Sequence, residues 1–460
     1  MSERPTLVSA VIPVHNGGAM LAEAVQSVLA QHLPPAVEVE VIVVDDGSVD
    51  GAPDALAAGV LVLSQENSGP SAARNVGVAA ARGELVAFLD ADDRWKADKL
   101  TSQVGHLAAS GCDISLGHQQ VHLLDGMPRP AWLDESPSWM PSAWRGRVAG
   151  QIQPATMVLR RDVFERVGGF DEGLRHGEDV DWMLRAVEAG LSVQVLDQVV
   201  VDRCVHRGNL SHDTAAMTRG MLSVLSRRAA RTRGGAPDPT VAVSVVIPVR
   251  SHADLLAQAL ESVAAQGEAV AEVIVVDDGA VGGDAEAIAQ VCRRAGVRRV
   301  RQAGRGAGAA RNLGGRLARG THLLFLDADD RLASGSVSAL RDELGGTTSG
   351  TAALGLTCEF TDGTAAPTRA PVSARVRLLG AMLLPRRDFL ALGGFDEDLG
   401  RGEGLDLMHR AQAGTLTVVD VEVTVLLRRL HAANGGIGAG TEDYLTVARR
   451  AIERNRGTSR

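Results

Sequence analysis

The sequence is almost without lysine: Lys96 and Lys99 are its only two, and the rest of its 47 basic residues are arginines. Nor does it carry surplus positive charge, since 56 Asp and Glu give a formal net charge of −9. A nucleic-acid binder normally shows a basic face or stripe, so nucleic acid is not expected as a partner. An anionic small molecule is still allowed, because a local arginine or a metal reverses the field at a site. Cysteine is scarce too, and Cys112, Cys204, Cys292 and Cys358 lie far apart. The missing CxxC spacing argues against a thiolate metal or redox site and for free thiols in a reducing compartment. No window offers about 18 uninterrupted apolar residues, and "MSERPTLVSAVIPV" has no basic-then-apolar leader. The expectation is a cytoplasmic protein with no integral membrane segment, peripheral membrane association being left open.

What the sequence does contain is a long internal repeat, the feature to settle before any other. "VSAVIPVHNGGAMLAEAVQSVLAQ" from Val8 aligns with "VSVVIPVRSHADLLAQALESVAAQ" from Val243. "VEVIVVDDGSVDG" is followed later by "AEVIVVDDGAVGG", and "GPSAARNVGVAAARGELVAFLDADD" by "GAGAARNLGGRLARGTHLLFLDADD". Finally "RRDVFERVGGFDEGLRHGEDVDWMLRAVEAG" has its partner in "RRDFLALGGFDEDLGRGEGLDLMHRAQAG". The order is the same in both halves, which indicates gene duplication. At 460 residues the chain exceeds one ordinary core of about 100–200 residues. The Gly/Pro-rich stretch "RTRGGAPDPT" then divides it into domains 1–230 and 241–460 with a linker at 231–240.

Each half reads strand, helix, strand, a short segment, then a helix and a further strand. Continuous apolar runs alternating with helices predict an α/β fold whose mostly parallel sheet is covered on both faces. In such sheets ligands bind beyond the carboxyl ends of the strands, where "VDDGS" and "LDADD" fall. A single strand-end aspartate commonly caps a helix or makes an Asx-turn. Two aspartate pairs, each repeated, point elsewhere. Crowded carboxylates repel, and a divalent cation is the usual way to keep them ionised. Oxygen ligands favour Mg2+ or Mn2+, which commonly share their shell with substrate phosphates. With Arg74 and Asn75 of "ARN" nearby, the pattern reads as a metal–diphosphate site for a nucleotide.

Taken in order, "VIPVHNG", "VVDDGS", "GPSAARNVG", "FLDADD", "GGFDE", "GEDVDW" and "RCVHRGNLS" resemble the inverting glycosyltransferases of family 2, with a GT-A fold. The resemblance covers almost all of residues 6–225 and, more weakly, 241–435. It implies two tandem GT-A, Rossmann-like domains and a sugar transferred from a nucleotide-diphosphate donor, a UDP-sugar first among them. By position it implies that Asp46 binds the nucleobase, with Pro13, Val14 and His15 lining that pocket, where the family often has Tyr at His15. Asp90 would touch the ribose side, Asp92 would hold Mn2+ or Mg2+ on the diphosphate, and Arg74 would approach the nucleotide from the facing helix. Asp179 of "GEDVDW" would be the general base that deprotonates the acceptor, with Glu178 positioning hydroxyls. His206 of "RCVHRGNLS" would close over the metal-bound diphosphate.

In the second half Asp277, Asp278, Arg311, Asp327, Asp329, Arg428 and His431 persist, so a nucleotide–metal pocket remains expected around Asp278, Arg311, Asp327, Asp329 and His431. "GEDVDW" has become "GEGLDL", however, and Gly404 cannot accept a proton. Asp406 is the carboxylate left to take that role, although a shift of two residues near a helix start moves it by several ångströms. Domain one is therefore expected to be the catalyst and domain two an impaired or accessory partner. A two-site polymerase and a non-catalytic nucleotide-sugar scaffold are the alternatives. A nucleotidyltransferase would need a basic Gly-rich loop that "PVHNGGAM" lacks. Trp132, Trp139 and Trp144 sit in the most divergent stretch and are candidates for stacking on sugar. The acceptor stays open among carbohydrate, peptide, lipid and small natural product, and the oligomeric state between a monomer with pseudo-dimeric halves and a homo-oligomer.

Overall fold

The computed structural model describes residues 5–56, 58–124, 126–127, 153–174, 176–206, 224, 241–361, 378–399, 402–413 and 416–430. The expected linker 231–240, His431, Trp132, Trp139 and Trp144 lie outside the described residues. The chain divides into two compact units, Met1–Ala236 and Pro237–Arg460.

The first unit is built on β1 (Thr6–Val14), whose last seven residues are all buried. A strand apolar on both faces belongs in the interior of a parallel sheet, and β1 pairs in parallel with β2 (Val37–Asp45) and with β4 (Leu85–Phe88). β3 (Val60–Gln65) continues the parallel sheet beyond β2. On the other side β7 (Met157–Arg160) runs antiparallel to β4 and to β6 (Ile114–Leu123). β6 pairs in parallel with β8 (Val193–Val205), to which β5 (Arg94–Trp95) adds antiparallel. The order is thus β3-β2-β1-β4-β7-β6-β8-β5.

Helix α1 (Gly18–Leu29) buries Leu21, Ala24, Val25 and Val28, the three-to-four spacing of a core-facing stripe. Helix α2 (Pro70–Ala80) starts with proline at its first turn, where no amide proton is needed. It lies hard against the sheet. A Cβ on Gly77 would come within 2.2 Å of the Val11 side chain, so only glycine permits that approach. Below α2, Phe88, Phe164, Phe170 and Trp182 form an aromatic cluster, with Phe164 and Trp182 stacked at 4.9 Å.

The second unit repeats this arrangement. Its strands are β9 (Val243–Val249), β10 (Glu272–Asp278), β11 (Arg298–Gln302), β12 (His322–Phe325), β13 (Arg331–Leu332), β14 (Thr351–Thr361), β15 (Met382–Pro385) and β16 (Thr417–Leu430). They follow the order β13-β16-β14-β15-β12-β9-β10-β11, the same sequence of partners. One departure from the expected plan lies between β10 and β11. There the short segment, a 3-10 turn Ala52–Ala55 in the first unit, is a full helix, Gly283–Ala295. Its sequence explains it: Asp284 and Glu286 sit at the positive end, Arg293 and Arg294 at the negative end, and left-handed Gly296 closes it. Pro53 and Gly59 of the first unit offer no such run. Among the described residues no helix is long and apolar enough to cross a membrane.

Candidate active site

Register brings the first three strands to a common carboxyl edge, with Val14, Asp45 and Ser64 side by side across β1, β2 and β3. The loops leaving that edge and the loop after β4 carry the carboxylates, and the structure divides their labour. Asp45 accepts the Ser48 amide at 2.8 Å, an Asx-turn. Asp46 is buried and accepts Gln65 Nε2 at 2.7 Å and the amides of Ser68 and Gly69 at 2.8 Å each. It therefore holds the loop that leads into α2. Pro13 and Val14 are covered within β1, and His15 is the one of the three that reaches solvent. The His15 ring lies within 3.3 Å of Asn16 and Asn67 side-chain nitrogens, a neutral polar rim beside Asp46.

After β4 the chain turns through Asp90-Ala91-Asp92-Asp93, closed by the Asp93 amide on the Asp90 carbonyl at 3.1 Å. Asp93, 2% exposed, points inward and accepts the Cys204 amide at 2.8 Å. Together with the β5–β8 pairing this fixes the end of β8, two residues before His206. The imidazole Nε2 of His206 consequently stands 3.1 Å from Asp92 Oδ2. Burial, then Asp90, raises the Asp92 pKa; burial, then Asp90 and Asp92, raises that of Asp93 well above the usual carboxylate range. A half-buried carboxylate facing an imidazole is a donor set that fits a divalent cation.

Arg74 joins this loop to helix α3 (Glu178–Glu188). It is 5% exposed, and its guanidinium bonds Asp90 Oδ1 at 2.8 Å and Glu178 Oε1 at 3.1 Å, above the Phe170 ring at 5.8 Å. Burial alone would loosen its proton, but Asp90 and Glu178 outweigh burial and its pKa rises. In the structure its positive charge is shared between two protein carboxylates. Asp179, beside Glu178 at the helix start, is half-buried, and its Oδ1 accepts the Val180 amide at 2.7 Å. Burial, then the Glu178 charge, push its pKa up to about 7. A carboxylate poised there exchanges a proton near neutral pH. Asp181 is different: it is buried, salt-bridged to Arg185 at 2.8 Å, and Arg185 also binds the carbonyls of Val167 and Gly169.

Asp90, Arg74, Glu178 and Asp179 thus form one connected cluster, and Asp92 with His206 adjoins it through Asp90. Sequence reasoning did not single out Gln65 or the anchoring role of Asp93. The first was legible as a position shared by the halves, Gln65 and Gln302; the second depends on strand register.

The second unit keeps most of this frame. Asp278 accepts Gln302 Nε2 and the amides of Arg305 and Gly306 within 2.9 Å, and Arg311 bonds Asp327 at 2.5 Å and Glu403 at 2.7 Å. Asp330 accepts the Arg429 amide, and burial with Asp327 and Asp329 pushes its pKa up to about 8. Carboxylate oxygens of Asp327, Asp329 and Asp330 lie within 4.8 Å of one another. The carboxylate aligned with Asp179 is what has gone. A Cβ on Gly404 would meet Leu379 Cδ1 at 2.9 Å, so a leucine fills the space over the helix start. Asp406 does not replace it. It is 1% exposed and salt-bridged to Arg410 at 2.7 Å, the same structural lock as Asp181–Arg185.

A family model described as Glycosyl transferase family 2 matches residues 9–168 and again 244–368. The succinoglycan biosynthesis protein ExoO of Rhizobium meliloti (strain 1021) is 34% identical over 201 residues, which cover 40% of this chain and 56% of that protein. An uncharacterized glycosyltransferase of Rickettsia felis is 25% identical over 373 residues, covering 70% of this chain and 61% of that one. The chain thus spans a little over half the length of these relatives. Among solved structures, the mannosyltransferase PcManGT from Pyrobaculum calidifontis, in complex with GDP-Man and Mn2+, matches with a TM-score of 0.40 and 21% identity over 51% of this chain and 67% of that one.

Proposed function

The chain belongs to glycosyl transferase family 2, and from that premise we propose that its first unit is a metal-dependent inverting glycosyltransferase using a nucleotide-diphosphate sugar, with a UDP-sugar as the first donor to try. In this reading Asp179 takes the proton of an acceptor hydroxyl as that oxygen bonds to the anomeric carbon, and the bond from that carbon to the diphosphate oxygen breaks on the opposite face. Glu178, held by Arg74, orients the hydroxyls. Asp92 and His206 would hold Mn2+ or Mg2+, which when bound stabilises charge on the departing diphosphate. His15, with Asn16 and Asn67 beside it, would form the rim against which the base of the nucleotide rests, over the loop ordered by Asp46.

The observation that carries the proposal is Asp179: a half-buried carboxylate raised to about 7, in one cluster with Asp90 through a single buried arginine. The second unit, with Gly404 in place of that base, would be an accessory. The test is consumption of a panel of UDP- and GDP-sugars with Mn2+ by the full chain. One donor should be consumed, with loss in Asp92→Ala and Asp179→Asn and retention in Asp329→Ala. Loss in Asp329→Ala would return catalysis to the second unit.

A further inference from the structure

On and beyond β9, β10 and β11 the second unit keeps the strand register of the first but carries arginines that the first lacks. Across β9, β10 and β11 the row Val249, Asp277, Arg301 is in register, where the first unit has Val14, Asp45, Ser64. By the same alignment Arg250 stands at the place of His15, Arg299 at Val62 and Arg305 at Ser68, while Asp50 and Glu66 have become Gly282 and Ala303. Two neutral hydrogen-bonding groups of the rim are lost with them, Ser48 and Asn67 being replaced by Ala280 and Gly304, and Asn16 gives way to the shorter Ser251.

The acids that remain in the loops after β9 and β10 are internally satisfied, while Asp327, Asp329 and Asp330 stand in the loop after β12. Asp277 is fully buried, accepts the Ala280 amide at 2.8 Å and pairs with Arg299 at 2.6 Å. Asp278 is buried and bound to the Arg305–Gly306 loop. Arg305 is paired with Glu397 at 2.8 Å. Two guanidiniums are left over. Arg301 is 40% exposed, donates to the Ala280 carbonyl at 2.7 Å and lies 3.8 Å from an Asp277 already matched by Arg299. Arg250 is exposed, and its side chain makes no hydrogen bond or ion pair among the described residues. Arginine forks placed this way suit the paired oxygens of phosphate or carboxylate groups.

We propose that the carboxyl-edge crevice of the second unit binds a multiply charged anion, of phosphate or uronate type, through Arg250 and Arg301. The first unit's reaction is not needed for this site, so the two readings fail separately.

The test is calorimetry on the full chain at low salt with EDTA present, which silences metal-dependent binding. The probes are inorganic pyrophosphate and an oligogalacturonate. Binding of pyrophosphate alone would identify a free phosphorylated compound as the natural occupant, and binding of oligogalacturonate alone an acidic glycan; binding of both supports the shared chemistry. The expected affinity falls about a hundredfold in Arg250→Ser/Arg301→Ser, is kept within about tenfold in Arg250→Lys/Arg301→Lys, and is unchanged in Asp92→Ala. Donor consumption should be unaffected by the arginine changes. Failure of both probes to bind, wild-type affinity in the double serine variant, or loss of binding in Asp92→Ala would each overturn the proposal.

Discussion

The starts of two helices, Glu178–Asp179 in the first unit and Glu403–Gly404 in the second, differ by one side chain within an otherwise common frame. Each glutamate is bound to a buried arginine that also binds a strand-end aspartate. Each aspartate two residues further on is locked to an arginine one turn later. What differs is the group left over after the frame is satisfied. In the first unit it is a carboxylate raised to about 7; in the second it is a hydrogen atom, with Leu379 pressed over it. The lesson is that the frame and the chemistry are carried by different residues, so shared frame residues are poor evidence of shared activity.

The sharpest way to break this comparison is Asp179→Asn against Asp406→Asn. Loss of a general base should lower kcat/KM by about a thousandfold, whereas Asp406→Asn should leave turnover unchanged and lower only the melting temperature. With Asp179 present, the rate should rise with pH through about 7 and then level off. Its folded pKa lies above its unfolded one, so the stability it contributes is present below about pH 4 and lost as pH rises through about 7. Asp179→Asn should therefore melt higher than wild type at pH 8 and not at pH 4, read by calorimetry.

Next in size is the arginine pair. Arg74→Met strips the shared cation from Asp90 and Glu178 and should cost roughly 3 kcal/mol in chemical denaturation. Arg311→Met should cost less, because Asp327 is 51% exposed and water replaces part of what it loses. Only the first change should also abolish turnover; loss of turnover in both would mean that the second unit takes part in the reaction.

A smaller effect is expected at Lys99, fully buried beside the Trp95 ring, its Nζ donating to Gln103 Oε1 at 2.5 Å. Burial drives its pKa well below the ordinary lysine value, so stability is lost as pH falls below about 10, where the unfolded chain takes up a proton that the folded one refuses. The second unit has Ser336 and Leu340 at the corresponding places. Lys99→Met should raise the first unit's melting temperature at pH 7 more than at pH 10, an order that melting curves at the two values would check. The smallest effect belongs to Gly404→Asp in an Asp179→Asn background. Leu379 Cδ1 is the far end of a flexible side chain, so the change should cost under about 1 kcal/mol. It should not restore donor consumption; rescue would show that the second crevice still accepts the donor.

The duplication, the strand-end placement of Asp46, Asp90 and Asp92, and the glycine at 404 in place of an aspartate were all legible in the sequence, because repeats, apolar runs and a glycine are local facts. Other features depend on what lies across the sheet. Nothing local distinguishes Asp93, which anchors Cys204, from Asp92, which faces His206. Arg74 reads as a cation available to a ligand, and only the fold brings Glu178 to it from more than a hundred residues away. The helix Gly283–Ala295 was within reach of sequence, since its acidic start, basic end and closing glycine are all local; it was obscured by matching it to the shorter segment of the first half.

The paired locks Asp181–Arg185 and Asp406–Arg410 have an evolutionary corollary. Because each helix is seated by its second aspartate and not by its first, the first can be erased without unseating the helix. One base change in an aspartate codon yields glycine, so a duplicated copy of this domain stands a single transition away from losing that carboxylate. Such a copy keeps its helix seated while the lining of its crevice is free to gain arginines, as at Arg250 and Arg301.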